Sequence, residues 1–255
     1  MAHVLGIDIG GSGMKAAPVD TATGQFLADR QKLMTPQPAT PEALAKVVEQ
    51  LVRSFDWTGL AGITFPGVVV DGVIWTAANL DPSWLGVDAG KLFGSETNLT
   101  VTVLNDADAA GVAEIHFGAG KGVSGTVLLV TLGTGIGSAL FIDGVLVPNT
   151  EFGHIEIHGK DAEKHASDHA REEHDLSWSD WARRVDEYLE RMEALLSPGL
   201  IIIGGGVSRK SSKFLPLLAA RAHAKIVPAA LQNDAGIVGA AMAVEAAHGR
   251  TAPQA

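Results

Sequence analysis

The stretch that decides the fold is "LGIDIGGSGMKAAPVD", which runs from Leu5 to Asp20 and holds four glycines between Gly6 and Gly13. Its Gly11–Ala16 part fits GxGxxA, the weak form of the dinucleotide-binding fingerprint. That fold needs a helix after the glycines, because the pyrophosphate rests on the N-terminus of the helix. Here a strand over residues 3–9 is followed by a second strand over residues 14–19. We therefore predict a hairpin turn, whose backbone amides can still bind an anion.

Two more glycine turns follow apolar strands, Gly133–Gly137 in "LGTGIGS" and Gly204–Gly206 in "IIIGGGVS". One such turn is weak evidence for a ligand, because tight turns often need glycine for steric reasons. Three of them, two of which open hairpins, are much more specific. The first turn belongs to a strand–strand–strand–helix–strand unit, and a similar unit recurs from Gly125. The repeat predicts a duplicated α/β fold of two domains with a central cleft.

The predicted domains follow from this repeat. We expect a smaller N-terminal α/β domain over residues 1–105, joined by the C-terminal helix over residues 236–248. A larger α/β domain should span residues 106–235, with a frayed tail over residues 249–255. Within these domains we predict one strand over Gln25–Leu33, a helix capped by Thr40, and two polar amphipathic helices over Asp161–Leu196.

Composition excludes several classes of protein. The 255 residues are 46% apolar and 19% charged, which excludes global disorder. The net charge of -10 argues against non-specific binding to nucleic acid or to an anionic membrane. The absence of cysteine excludes disulfides and thiolate metal sites. The N-terminus lacks the pattern of a signal peptide, and glycines break the longest uncharged run, over residues 126–142. We expect a cytoplasmic protein with neither nucleic acid nor a membrane as partner.

"VLNDADAAG" places Asn105 and Asp106 directly between a strand and a helix. One interpretation is structural, in which either side chain only caps the helix. The other is functional, with Asp106 at the edge of the cleft. Asp106 would then be a general base that accepts the proton of an attacking hydroxyl, and Asn105 would bind a neighbouring hydroxyl. The stretch alone leaves both open.

"NTEFGHIEIHG" holds Glu151 and His154, and Glu163 follows in "DAEKHAS". Carboxylates accept hydrogen bonds from adjacent hydroxyls and an imidazole donates one, so the group suits a polyhydroxylated ligand. An exposed polar loop is the alternative. His165 and His169 are spaced i, i+4 on a predicted helix and could in principle bind metal. A solvated helix face is favoured for them, because the HExxH pattern is missing.

Taken together, these residues resemble the ROK sugar kinases, which have the hexokinase–actin–heat-shock ATPase fold. "DIGGSGMK" and "LGTGIGS" resemble the two phosphate motifs of the family, "GGGVS" resembles its nucleotide-side motif, and "LNDADAAG" resembles the stretch that holds the catalytic Asp. The likeness runs from about Val4 to Ala243. Longer strings, among them "TPQPATP", "PNTEFGH" and "VPAALQNDAGIVGAAMA", resemble the actinobacterial branch of polyphosphate glucokinases and polyphosphate/ATP glucomannokinases.

The resemblance implies phosphoryl transfer from polyphosphate or ATP to the 6-hydroxyl of glucose, and it leaves mannose open as a second acceptor. It implies Asp106 as the base, Mg²⁺ as the cofactor, reached by Asp8 through water, and a homodimer. The implied sugar-binding residues are Asn79, Asn105, Asp106, Glu151, His154 and Glu163. The implied phosphate- and nucleotide-binding residues are Asp8, Gly10, Gly11, Ser12, Gly13, Lys15, Thr134, Gly135, Gly205 and Gly206.

A polyphosphate donor raises an electrostatic question, because a chain with this net charge repels a long polyanion unless a local positive track leads it to the site. Arg209, Lys210 and Lys213 follow the third glycine turn and are the predicted track, with Lys15 at its catalytic end. Arg183 and Arg184 are weaker candidates, since a solvated helix face explains them.

One departure from the family concerns zinc. Many members carry a zinc site of one His and three Cys after the "GH" motif, whereas this chain keeps His154 and has no cysteine. A zinc site is therefore not expected, and with the segment shortened the match at Glu163 depends on "AEKHAS" alone.

Rival functions differ in what they require. A strictly ATP-dependent ROK hexose kinase differs from the polyphosphate enzymes only in its donor. A sugar-responsive ROK repressor needs an N-terminal helix-turn-helix, and only two residues precede the first predicted strand. A nicotinamide dehydrogenase is disfavoured by the strand after Gly13, and an actin-like structural ATPase would not need both "NDAD" and "EFGH".

Overall fold

The computed structural model describes residues 3–77, 80–218 and 223–249. The strands of this described part are β1 His3–Ile9, β2 Gly13–Asp20, β3 Gln25–Phe26, β4 Gln31–Met34, β5 Leu60–Phe65, β6 Val69–Val70, β7 Val73–Ile74, β8 Thr100–Asn105, β9 Thr126–Leu132, β10 Ile136–Ile142, β11 Val145–Val147, β12 Glu156–Ile157, β13 Lys160–Asp161, β14 Leu200–Gly204 and β15 Lys225–Pro228. Its α-helices are α1 Pro41–Ser54, α2 Ala89–Thr97, α3 Asp106–Phe117, α4 Glu163–Ala166, α5 Asp168–Glu173, α6 Trp178–Leu196 and α7 Ala235–Gly249. Short 3₁₀ helices cover Pro82–Trp84, Phe152–His154, Gly206–Lys213, Leu215–Leu217 and Gln232–Asp234.

Two compact units make up the chain: unit 1 spans Met1–Ala113 and Asp234–Ala255, and unit 2 spans Glu114–Asn233. The sheet of unit 1 has the order β3-β2-β1-β5-β8, and β4 also pairs with β2. Strands β1 and β2 are antiparallel and enclose the first glycine turn, whereas β1, β5 and β8 are parallel. The carboxyl ends of three strands therefore meet at one edge of this sheet.

The sheet of unit 2 has the order β11-β10-β9-β14-β15. Strands β9 and β10 are antiparallel, and β9, β14 and β15 are parallel. This is the topology of unit 1, with β9 in the place of β1 and β10 in the place of β2. The predicted duplication of the α/β unit is therefore confirmed.

Two local predictions differ from the structure, and one helix was missed. The single strand predicted over Gln25–Leu33 is two strands, β3 and β4, which pair with different parts of β2. Pro18 lies between those parts and has no N–H to donate, so it interrupts the ladder on that side. The two helices predicted over Asp161–Leu196 are three, because Ser167 ends α4 and caps α5, with its hydroxyl accepting the N–H of Ala170. Helix α2 was not predicted.

Helix α7 closes unit 1 by direct contact between backbones. A methyl group added to Gly6 would overlap the carbonyl oxygen of Ile237, and one added to Gly62 would overlap that of Ala240. Gly239 lies equally close to the carbonyl of Ala109 in α3. These contacts keep the first turns of α3 with unit 1, so the division between the units falls within α3 rather than before it. Of the expected tail, Gly249 ends α7 and the rest lies outside the described residues.

We expect Gly62→Ala to lower the free energy of unfolding by about 1–3 kcal/mol or more, since overpacking forces the helix away from the sheet. Thermal unfolding measures the effect, and Gly11→Ala is the matched control, because a methyl group there meets no atom within 4 Å. Equal melting temperatures for the two variants would contradict the close packing of α7 on β5.

No helix of the described part of the chain combines the length and the apolar character needed to cross a membrane.

Candidate functional site

In unit 1, Asp8 lies near the carboxyl end of β1, level with Thr64 of β5 and Lys15 of β2. The buried Thr64 hydroxyl donates to Asp8 Oδ1 at 3.0 Å and accepts the N–H of Ile9 at 3.0 Å. Lys15 Nζ donates to Asp8 Oδ2 at 3.3 Å. Gly236, at the start of α7, leaves room for the carboxylate: a methyl group there would lie 2.8 Å from Oδ1. Asp8 is therefore held in one orientation by three neighbours.

This arrangement fits a Mg²⁺ ion reached through water. Each oxygen of Asp8 accepts a hydrogen bond within the protein and keeps a lone pair that can accept a hydrogen bond from a water molecule. Mg²⁺ keeps several of its waters in most protein sites. Thr64 was missed from the sequence, although a polar residue at the end of the apolar run "LAGITF" was an available signal.

The first glycine turn is a short hairpin in which the Gly10 N–H donates to the Gly13 carbonyl at 3.2 Å. The buried Thr35 hydroxyl also donates to the Gly10 carbonyl, which anchors the turn from outside. Gly11 and Ser12 at its tip are exposed, and no atom lies within 4 Å of a methyl group placed on Gly11. The tip is therefore open to a ligand.

Lys32 lies directly opposite Lys15 across the β2–β4 pair. Its Cε is 2.7 Å from the position that a methyl group on Gly13 would take, so the absent side chain of Gly13 makes room for it. Two like charges directly opposite each other destabilise a sheet unless a counter-charge is present. Asp8 supplies one on the side of Lys15. Lys32 was not among the sequence candidates, and it adds positive charge beside the turn.

Asn105 and Asp106 lie at the carboxyl end of β8, two strands from Asp8 and thus about 10 Å away across the sheet. The buried Asn105 side chain caps α3: its Oδ1 accepts the N–H groups of Ala107 at 2.8 Å and Asp108 at 3.0 Å. Its Nδ2 donates to the Gly67 carbonyl at 3.1 Å and has a second N–H. The capping interpretation therefore applies to Asn105.

Asp106 is the first residue of α3 and is half-buried, and its Oδ1 accepts the N–H of Ala107 at 2.9 Å. A carboxylate in the first turn of a helix is stabilised in its charged form by the positive end of the helix dipole. Asp106 thus lies at the same edge of the unit 1 sheet as Asp8. Asn79 lies outside the described residues.

In unit 2, the structure brings Glu151, His154 and Glu163 together. His154 Nε2 is 3.9 Å from Glu151 Oε2, and its Nδ1 is 3.2 Å from Asp161 Oδ2. Burial raises the pKa of Glu151 above its ordinary value; the nearby His154 opposes this rise and Glu163 adds to it. Two carboxylates and an imidazole within mutual electrostatic reach suit adjacent hydroxyl groups. Asp161 belongs to this group and was missed from the sequence.

Glu163 also joins this group to the second glycine turn. A methyl group on Gly135 would overlap Oε2 of Glu163, and the Gly133 N–H donates to the Gly135 carbonyl at 3.0 Å within the turn. The third glycine turn lies beside the second, because β14 and β9 are parallel neighbours and a methyl group added to Gly205 would overlap the Leu132 backbone. The two turns therefore place Thr134, Gly135, Gly205 and Gly206 at one edge of the unit 2 sheet.

Arg209, Lys210 and Lys213 are all exposed on the 3₁₀ helix that follows the third turn. Lys210 Nζ and Lys213 Nζ lie 5.8 and 5.6 Å from the centre of the Trp178 ring, and the Arg171 guanidinium lies 4.5 Å from it. Arg171 is paired with Asp168 and Glu172, so its charge is balanced. The surplus positive charge at this surface belongs to the 3₁₀ helix.

The weaker basic candidates lie elsewhere in unit 2. Arg183 forms an ion pair with Asp180 one turn away on α6. Arg184 donates to the carbonyl of His165 at 3.3 Å. Both contacts are local to the helix and its neighbour, as expected of a helix face.

Comparison with known proteins identifies the family. The ROK family pattern matches residues 4–170. The chain is 54% identical to a polyphosphate glucokinase of Mycobacterium tuberculosis over 94% of this chain and 91% of the relative. The crystal structure of an inorganic polyphosphate/ATP-glucomannokinase from an Arthrobacter strain superposes with a TM-score of 0.93 at 48% identity, covering 97% of this chain and 100% of that one.

A ROK family glucokinase from Streptomyces griseus, solved in complex with glucose and AMPPNP, is 26% identical and superposes with a TM-score of 0.81 over 96% of this chain and all of that chain. The strand order shared by units 1 and 2 is thus that of a sugar-kinase fold. The chain belongs to the ROK family and has its actin-like ATPase fold.

Proposed function

We infer that the chain is a polyphosphate glucokinase, which transfers a phosphoryl group from polyphosphate or ATP to the 6-hydroxyl of glucose. The inference is supported by its 54% identity to a protein of that name over 94% of the chain. One structural observation carries it: the carboxylate of Glu163 lies against Gly135, so a hydroxyl-binding group and a phosphate-binding turn adjoin within unit 2.

Asp106 is proposed as the general base. The 6-hydroxyl oxygen attacks the terminal phosphorus, the bond from that phosphorus to the rest of the donor breaks, and the hydroxyl proton passes to a carboxylate oxygen of Asp106. Protein catalysis of this step consists mainly of positioning and of stabilising charge. Helix α3 positions Asp106, and the Asn105 cap holds the start of that helix.

The charge on the transferred group is proposed to be met by the exposed amides of the first glycine turn, by Lys15 and by Mg²⁺. Mg²⁺ would be held through water by Asp8, whose orientation Thr64 maintains, and when bound it would neutralise developing charge on the phosphate oxygens. In unit 2, Glu151, His154 and Glu163 are proposed to bind sugar hydroxyls, with Thr134, Gly135, Gly205 and Gly206 on the phosphates or nucleotide.

Mannose as a second acceptor is part of the same proposal, because the solved Arthrobacter relative is a polyphosphate/ATP-glucomannokinase. The homodimer and the cytoplasmic location stay predictions.

A coupled assay of glucose 6-phosphate tests the function directly. Purified protein is incubated with glucose, Mg²⁺ and either ATP or long-chain polyphosphate, and we expect product from both donors and none after Mg²⁺ is chelated. Product from ATP alone would return the chain to the strictly ATP-dependent ROK hexose kinases. If neither ATP nor polyphosphate gives product, the protein is not a glucose kinase.

The proposed sugar ligands make a separate prediction. Glu151→Ala and His154→Ala should each weaken glucose binding by calorimetry, because each leaves sugar hydroxyls without a partner. Glu156→Ala is the matched control, being an exposed carboxylate on β12 of the same segment. Burial raises the pKa of Glu151, so its carboxylate becomes protonated at a higher pH than the carboxylate of an ordinary Glu. As the pH is lowered, the affinity for glucose should therefore begin to fall at a pH above the pKa of an ordinary Glu. Unchanged affinity in both variants would place the sugar elsewhere.

A further inference from the structure

A second group of imidazoles lies in unit 2 and shares no residue with the proposed sugar ligands. His158 lies in the turn between β12 and β13, His165 in α4 and Glu187 in α6. His158 Nε2 is 2.7 Å from Glu187 Oε1, and His165 Nε2 is 3.2 Å from Glu187 Oε2. The two rings meet edge to face with centroids 5.3 Å apart. Three separate elements thus bring two imidazole nitrogens and a carboxylate within 4.8 Å of one another.

The structure does not place His165 and His169 on one helix, as their i, i+4 spacing in the sequence suggested. Ser167 separates α4 from α5, so the two histidines do not lie on one continuous helix. His165 instead meets His158 and Glu187, which are 7 residues before it and 22 after it in the sequence. A metal-ligand set of this kind has no fixed spacing and could not be read from the sequence.

His158 lies in a tight turn. His158 has a φ of 53° and Gly159 a φ of 75°, so the two-residue β12–β13 hairpin turns through two left-handed residues. Histidine is among the residue types found in this conformation, and Asn or Asp followed by Gly is the favoured pair in such a turn. An Asn at position 158 would therefore fit the same turn without the imidazole.

We propose that His158, His165 and Glu187 bind one divalent transition-metal ion of the zinc class. Two imidazole nitrogens and one carboxylate oxygen are a ligand set that Zn²⁺ accepts, with water completing the coordination. The ion would tie the β12–β13 hairpin and α4 to α6, and so brace Asp161 at the end of β13 and Glu163, a proposed sugar ligand, at the start of α4. The expectation of no zinc came from the missing thiolates and concerned a different set of ligands.

This proposal is independent of the kinase function. A second group, His154 with Asp161 and Glu163, also has ligand atoms within 4.8 Å of one another. The sugar proposal already uses His154 and Glu163 of this group. It therefore serves as the competing site in the test.

The test is a calorimetric titration of untagged, metal-free protein with Zn²⁺, together with thermal unfolding with and without the ion. We expect one equivalent to bind and the melting temperature to rise, because a ligand that binds only the folded state stabilises it. His158→Asn is the decisive variant, because Asn suits the left-handed turn but removes the imidazole. It should keep or raise the melting temperature of the metal-free protein. It should weaken Zn²⁺ binding by at least about 10–100-fold, because mutating only the hydrogen-bond partners of metal ligands already costs that much affinity.

Glu187→Gln should give the same loss of Zn²⁺ affinity, and His174→Asn is the matched control, an exposed histidine at the end of α5. An unaltered titration in His158→Asn and Glu187→Gln would overturn the proposal. So would a loss of Zn²⁺ binding in His154→Ala that leaves His158→Asn unaffected, since that result assigns the ion to the competing site. A wild-type protein that binds no Zn²⁺ overturns it as well.

Discussion

Asp106→Asn is expected to fold normally and to lose about 10²–10⁴-fold in kcat, the usual contribution of a general base. The amide is nearly isosteric with the carboxylate and keeps an oxygen that can accept the N–H of Ala107. What it cannot do is take up the proton of the attacking hydroxyl. Stopped or coupled assays of glucose 6-phosphate formation with saturating donor measure the loss, and thermal unfolding checks that the fold is kept.

Asn105→Ala is the contrasting variant, because it removes the helix cap and leaves the carboxylate of Asp106 in the chain. Loss of an N-cap costs about 0.5–2 kcal/mol of stability, so the melting temperature should fall in Asn105→Ala and not in Asp106→Asn. A kcat for Asp106→Asn within a few-fold of the wild type would remove Asp106 from the role of base.

Neutralising Arg209, Lys210 and Lys213 together, each to Gln, is expected to raise KM for long polyphosphate by about 10²-fold near 0.1 M salt and to change KM for ATP much less. Each cation that contacts a polyanion releases counterions. For single-stranded nucleic acid, the logarithm of the binding constant therefore falls linearly with the logarithm of the salt concentration, with a slope of about 0.7 per contact. Loss of three contacts should therefore reduce that slope by about 2. ATP carries few charges and offers an adenine to bind, so it depends less on this surface.

The matched control removes the same amount of charge elsewhere: Lys46, Arg53 and Lys91, each to Gln, are exposed cations of unit 1. This control should leave both the polyphosphate KM and its salt dependence close to the wild type, since a uniform change in net charge acts weakly at a distance in salt. Equal losses with ATP and polyphosphate in the Arg209–Lys210–Lys213 variant would show that these residues do not form a polyphosphate track.

The sequence by itself determined the fold class and the family. The strand that follows Gly13 disfavoured the dinucleotide fold, because a short apolar run without a helix signal is a local property that can be read without tertiary information. The same local logic located the three glycine turns and a helix directly after Asp106, which in the structure begins at Asp106 itself. It failed at Gln25–Leu33 and over Asp161–Leu196, where the missing N–H of Pro18 and the cap formed by Ser167 interrupt otherwise continuous patterns.

Only the tertiary structure decided which side chains meet. Thr64 orients Asp8 because β5 lies beside β1 in a particular register, and Lys32 faces Lys15 because β4 pairs with β2. His165 meets Glu187 rather than His169, and Glu163 lies against Gly135. The residues of each contacting pair lie far apart in the sequence, whereas His165 and His169, which are close in sequence, are separated by the break between two helices. Sequence patterns report the periodicity of one element, whereas such contacts depend on how elements far apart in the chain pack together.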